Sequence, residues 1–488
     1  MQDVPAGGAA HTPAGHAAGM GSRALRNTTL ILATRVVSRL LTLVTVPLIV
    51  AHLRPAGFGR FQLVVGLAGI ITVVLDLGFN TLFQREAARQ PSELSRFLSN
   101  LVSARILFAV PALAVFAAGL WVFGLRDFIV PGFVMMLLAS YATLLRASLY
   151  AVQRLGFEAA GIVLETLVLV ALVVVGVRTG QGIAFFLWAY AGSYSFSCVY
   201  FLVVITLRGV ARLRWRLEWG LIRHFFWTGL PFALTFVISV IYFRIDQPIL
   251  VAIRGYTENG WYTAAYKPFE ALLFVPISML NVVFPVLAVY HHDASGRVAW
   301  AVARFYKALL MLGWPATVGM FLLTDAFRVI YVFPEAAAAL RILALGVVFM
   351  FVSNAFIGAL NSIDRQVLFT WIAALSMVVN IGLNLILIPL YGYLGAAAAT
   401  VLTEIVLFAA GWVLVARHLG PVPVHRLSWR VILAGLVMGA ALWPVQHVTG
   451  PAALAVVGGG ALVYGLALLI LGAVDREERT LLLATLKR

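Results

Sequence analysis

Fourteen stretches of about twenty residues, each nearly free of charge, follow one another along this 488-residue chain and leave it few possible folds. They fall near 28–51, 61–83, 97–122, 128–150, 159–177, 183–207, 224–251, 262–289, 301–323, 337–361, 367–388, 394–416, 428–447 and 452–473. With 62% hydrophobic and 11% charged residues, the chain is too apolar for a soluble globule and belongs in a membrane. Spanning β-strands need only about ten alternating residues. These runs are twice that length and rich in Leu, Ala and Gly, so the expected fold is all-α, a polytopic bundle of about fourteen transmembrane helices.

Lipid offers no water to solvate a charge, so charges inside the runs are informative. Arg35 and Arg39 sit one helical turn apart in the first run, at about 2.5 to 3.5 kcal/mol each if central and unpaired. Two on one face call for a polar cavity or a partner anion. Further polar stripes follow helical spacing: Thr72, Asp76 and Asn80 in span 2; Thr235, Ser239, Tyr242 and Asp246 in span 7; and Tyr262, Tyr266 and Glu270 in span 8, beside Lys267. Arg244 points about 200° away from the span 7 stripe unless that helix is interrupted before Pro248. The five cations Arg35, Arg39, Arg105, Arg244 and Lys267 are matched by Asp76, Glu165, Asp246, Glu270 and Glu404, so pairing between helices is the alternative to ligand contact. Arg105, Glu165 and Glu404 are expected to be structural partners.

Basic residues are retained on the cytoplasmic side. Of 35 Lys and Arg, 23 fall in alternate connections that include both termini, 7 on the opposite side and 5 within spans. Both termini are therefore expected in the cytoplasm. Residues 1–22 lack a basic n-region and an apolar h-region, so a disordered tail is expected rather than a signal peptide; His11 and His16 there are isolated and point to no metal. The net charge of +16 follows this topology and contact with anionic membrane lipid; nucleic acid is not implied. Cys198, the only cysteine, can form no intrachain disulfide.

Motifs recur in order. Arg54-Pro-Ala-Gly-Phe-Gly59-Arg-Phe61 is echoed by Arg254-Gly-Tyr-Thr-Glu-Asn-Gly260-Trp-Tyr262, Leu149-Tyr-Ala-Val-Gln-Arg154 by Leu360-Asn-Ser-Ile-Asp-Arg365, and Gly182-Ile-Ala184 by Gly395-Ala-Ala397. These imply a six-plus-six duplication: lobes at 23–208 and 224–417, a basic linker at 209–223, extra helices at 428–473 and a tail at 474–488. Six is even, so the lobes run in the same direction, the parallel-repeat arrangement used for alternating access.

Leu53-Arg-Pro-Ala-Gly-Phe-Gly-Arg-Phe61, Leu75-Asp-Leu-Gly-Phe79 and Ile388-Pro-Leu-Tyr-Gly-Tyr-Leu-Gly-Ala-Ala-Ala-Ala399 resemble polysaccharide exporters of the Wzx type, in the superfamily that also holds MATE drug antiporters and the lipid II flippase MurJ. The resemblance covers nearly the whole chain. It implies two six-helix lobes around a central cavity, in a bacterial inner membrane, and a cargo of undecaprenyl-diphosphate-linked oligosaccharide for surface polysaccharide. A polysaccharide polymerase and a chain-length regulator are the implied protein partners. On this reading Arg35 and Arg39 bind diphosphate oxygens, since guanidinium presents forked donors. Tyr242, Tyr262 and Tyr266 stack on sugars, while Asp76, Asp246 and Glu270 orient a cation or take a proton; Asn80, Arg244 and Lys267 complete the candidate set. A cation-coupled drug antiporter and a lipid II flippase are the alternatives. No G-x-x-x-x-G-K-[ST] occurs and no external connection is long, which argues against an ATPase or a membrane glycosyltransferase. No cofactor is expected, and no motif identifies a coupling ion, whether proton or Na⁺.

Overall fold

The computed structural model describes residues 13–292 and 297–474. Its helices are α1 (Pro13–Asp76), α2 (Phe79–Arg89), α3 (Leu94–Val122), α4 (Ile129–Ala151), α5 (Leu155–Arg178), α6 (Ile183–Leu207), α7 (Trp219–Arg244), α8 (Asp246–Arg254), α9 (Tyr256–Leu272), α10 (Phe274–His292), α11 (Arg297–Leu322), α12 (Arg328–Tyr331), α13 (Ala336–Ser362), α14 (Gln366–Tyr391), α15 (Tyr393–Leu419), α16 (Val424–Leu442) and α17 (Ala452–Ile470). Among the described residues, thirteen segments are long and apolar enough to cross a membrane. Fourteen were expected; the first of the thirteen, Val44–Val73, takes in parts of expected spans 1 and 2. Their helices meet at Arg54, whose φ of 59° bends the chain just before Pro55. α1 starts at Pro13, inside the segment expected as a tail. Residues 1–12 and 475–488 lie outside the described residues.

Three expected helices are broken. Span 2 stops at Asp76 and resumes at Phe79 across Leu77 and Gly78, both at positive φ. Span 7 breaks at Ile245, and span 8 breaks at Leu273. Residues at positive φ sit within or beside the echoed motifs. Left-handed residues recur at matching places: Arg54 with Gly255, Gln153 with Asp364, and Gly180 with Gly392. The first lobe comprises α1 to α6, the second α7 to α15, and α16 and α17 stack against α11. There Trp314 fits over Gly435 and donates its indole N–H to the Ile432 carbonyl at 3.1 Å.

The apolar residues divide between two environments. Phe58, Leu63, Phe116, Leu340, Leu343, Val347, Phe351 and Phe356 form the interior, while Val110, Leu207, Leu390 and Ile470 point outward, as a lipid-solvated bundle requires. The expected basic linker is bonded to α3. Residues 211–218 run extended along α3, and the helical turn of α7 begins at Trp219, within the expected linker.

Candidate functional site

The two lobes meet through glycines at two levels. At the first, the echoed motifs cross backbone to backbone. A Cβ at Gly59 would collide with the Tyr256 carbonyl, and one at Gly260 with the Pro55 carbonyl, so neither site has room for a side chain. Asn259 Nδ2 donates to the Gly59 carbonyl at 2.8 Å, and the Arg60 guanidinium lies 5.1 Å over the Tyr256 ring. At the second level, a Cβ on Gly229 would come 3.0 Å from the Leu77 carbonyl, and one on Gly78 would come 3.0 Å from the Ala233 amide. Gly59 and Gly78 are about 29 Å apart along a helix, close to the hydrocarbon thickness. Along the chain, Arg244 falls between Gly229 and Gly260, the second-lobe members of the two crossings.

In the first lobe, Asp76 and Asn80 hold Arg105. Its side chain is 0% exposed. Nη2 donates to Asp76 Oδ1 at 3.0 Å and to Asn80 Oδ1 at 2.8 Å, while Nη1 donates to the Ser140 carbonyl. A guanidinium in so apolar a setting persists only with such partners. Glu165 pairs with Arg146 at 2.8 Å and accepts from Ser197 at 2.5 Å. Arg146, one of the 23 basic residues counted in the cytoplasmic connections, thus lies within a helix long and apolar enough to span, Arg126–Ala151. The backbone of Arg35 and Arg39 is helical in α1. Their side chains lie outside the described residues.

In the second lobe the break at Ile245 separates Arg244 from Asp246. Arg244 Nη2 reaches Glu270 Oε1 at 3.3 Å, and Lys267 Nζ reaches Glu270 Oε2 at 3.1 Å. These three are 19 to 29% exposed, and Tyr190 of the first lobe lies within electrostatic range of Glu270. Asp246 instead turns into the lobe. It accepts from the Tyr262 hydroxyl and from the Gln247 amide at 2.9 Å, and Tyr262 also meets Thr400 at 3.1 Å. Tyr266 is buried against Tyr262 and Phe269, with ring centroids 5.6 and 5.3 Å away. Asp246, Tyr262 and Tyr266, expected to face cargo, therefore pack inside the second lobe in this conformation.

Tyr242 donates to Glu404 at 2.6 Å, in a cavity of about 190 Å³ that Ser239, Asn354 and Ser376 also line. The second oxygen of Glu404 is buried without a hydrogen-bond partner among the described residues. Sequence reasoning had left Glu404 as a structural partner. A lone carboxylate on a helix carries no sign of what faces it, and its partner Tyr242 lies 162 residues away.

A model of the family described as polysaccharide biosynthesis protein matches residues 24–291, more than half the chain, and one described as lipid II flippase MurJ matches residues 200–456. No curated protein matches the chain. Among solved structures, a lipid II flippase MurJ in an inward closed conformation is similar, at 16% identity and a TM-score of 0.73 over 93% of this chain and 100% of that one. An inward-facing MATE multidrug transporter of the MOP superfamily is similar at 13% identity and a TM-score of 0.65, covering 77% of this chain and 94% of that one. An outward-facing MATE structure gives 14% and 0.55, covering 81% and 95%. With both lobes, the broken helices and these matches in place, the chain belongs to the polysaccharide biosynthesis protein family of multi-pass membrane transporters, in the superfamily that includes MurJ.

Proposed function

We propose that this protein flips an undecaprenyl-diphosphate-linked oligosaccharide from the cytoplasmic to the outer leaflet of a bacterial inner membrane by alternating access. One observation carries the reading: Arg244 and Lys267 converge on Glu270 beside the lobe interface. Two cations around one carboxylate, each only 19 to 29% exposed, suit a diphosphate entering between the lobes. Arg35 and Arg39 complete the receptor in this reading. Asp76, Asn80, Asp246, Tyr262 and Tyr266 serve it by holding the helices in register.

The cycle needs no covalent step. The crossing at Gly59 and Gly260 opens as the one at Gly78 and Gly229 closes, while the polyprenyl tail stays in lipid. The linker end is cytoplasmic in this account, since most basic residues lie there, so the headgroup moves outward. An inside-negative potential favours that movement of about two negative charges by roughly 4 to 5 kcal/mol per 100 mV if both cross the full field. A proton or Na⁺ moving the other way would add to this drive. A polymerase and a chain-length regulator would then take the delivered unit.

The test is complementation of an exporter deletion strain with Arg39→Ala and Arg39→Lys, measuring lipid-linked intermediates in each leaflet. Arg39→Ala is expected to trap intermediates inside, and Arg39→Lys to restore part of the export. Normal export by both would overturn the receptor. Lipid II is the second reading, favoured by the MurJ match over the second half of the chain; rescue of a lipid II flippase deletion with surface polysaccharide unchanged would select it.

A further inference from the structure

The linker between the lobes is pinned to α3 by a register match. Ser95, Ser99 and Ser103 are four residues apart on α3, a repeat of about 6.0 Å. Alternate residues of an extended strand repeat every ~6.6 Å. The two nearly coincide, so the backbone amides of Arg212, Arg214 and Arg216 donate in turn to Ser95, Ser99 and Ser103 at 3.0, 3.1 and 3.2 Å, and Glu218 donates to Asn100 at 2.6 Å. A strand without a neighbouring strand is thus held as an ordered ledge.

Its two faces differ. Ala211 is buried and Leu213 half-buried, whereas Trp215, next on that face, is 71% exposed and Trp219 is 61% exposed. Arg212, Arg214 and Arg216 occupy the other face, all exposed. Arg96 is bound by Glu93 and Glu218, and Arg216 by Glu218. No acidic side chain among the described residues pairs with Arg212 or Arg214. A polar notch of about 380 Å³ lies between them and Ser95 and Ser99 of α3.

We propose that this notch binds the phosphate headgroup of an anionic phospholipid, with Arg212 and Arg214 on the phosphate and Trp215 in the interfacial layer. Guanidinium supplies paired donors for phosphate oxygens, and tryptophan prefers the depth at which headgroups begin. The fixed spacing separates this site from a solvated charge run, because both guanidinium groups start from a backbone that α3 immobilises. A lipid seated there ties α3 to the start of α7, so the leaflet's composition acts on the linker between the lobes. That consequence rests on the proposed function and sidedness; headgroup binding itself does not.

The test uses the full-length protein in phosphatidylcholine nanodiscs, whose two leaflets are equally accessible, with increasing phosphatidylglycerol. Retained lipid is counted by native mass spectrometry. Each arginine near an anionic surface is worth about fivefold, so Arg212→Gln with Arg214→Gln is expected to weaken phosphatidylglycerol retention roughly 25-fold and leave phosphatidylcholine unchanged. Arg212→Lys with Arg214→Lys keeps the charge and is expected to retain most of the binding, which separates the effect from misfolding. Arg417→Gln with Arg426→Gln removes the same charge elsewhere and should change retention less than twofold. Equal losses in the two Gln pairs, no preference for phosphatidylglycerol in the unmodified protein, or full displacement by millimolar inorganic phosphate would each overturn the proposal.

Discussion

The crossing of Gly59 over Gly260 makes a quantitative demand on the transport cycle. In Gly59→Ala, the added methyl would stand 2.9 Å from the Gly260 nitrogen and nearer still to the Tyr256 carbonyl, both backbone atoms that cannot rotate away. Ordinary contact begins near 3.4 Å, so the two helices have to part by about an ångström or more. Overpacking of this kind costs about 1 to 3 kcal/mol. A central value of about 2 kcal/mol moves the balance between closed and open crossings by ~30-fold. The reporter is Thr263→Cys, one turn further along α9 and 2% exposed, in a chain whose own cysteine is removed by Cys198→Ala. A membrane-impermeant maleimide should label it ~30-fold faster when Gly59→Ala is added, and export should fall because the crossing no longer closes. Unchanged labelling and unchanged export at equal expression would show that this crossing is not the seal.

Other outcomes follow from the charges. Among the described residues, Arg105 is the only cation bonded to the enclosed Asp76, so Arg105→Gln should lower stability in detergent by about 3 to 5 kcal/mol, read as a fall in the thermal midpoint; Asp76→Asn in the same chain should recover part of the loss. Arg244→Ala, on a side chain 25% exposed, should leave the midpoint nearly unchanged and reduce export in the complementation assay. The linker contact should weaken in acid. The hydrogen bond from Arg96, with further bonding from Asn100 and the charges of Arg96 and Arg216, holds the Glu218 carboxyl below its ordinary value of 4.5. Its contribution is complete above that value and is lost as pH falls through the lowered one, so proteolytic cutting at residues 211–218 should accelerate below pH 4.5 in the native chain, and Glu218→Gln should cut fast at every pH.

The echoed motifs were legible as repeats because each needs an unusual backbone. Arg54 and Gly255 turn at positive φ, and Gly59 and Gly260 allow close approach, requirements that leave marks in sequence. The polar stripes were legible only as stripes. Helical spacing places Asp76 and Asn80 on one face but does not say that Arg105 lies across from it. The stripe of span 7 was misleading for a further reason: the helix breaks at Ile245, so Tyr242 turns to Glu404 while Asp246 turns to Tyr262. A 3.6-residue period cannot be carried through such a break.

The sequence by itself determined that the chain lives in lipid, that it is helical, that it is doubled and which end of the bundle is basic. These follow from composition and local backbone demands, which act residue by residue. Tertiary structure decided which charges meet. A buried charge takes whichever partner helix rotation brings within about 3 Å, and rotation is set by packing between segments up to 200 residues apart. Arg244 and Lys267 are therefore brought together on Glu270, while Asp246, two residues from Arg244, is turned away into the second lobe.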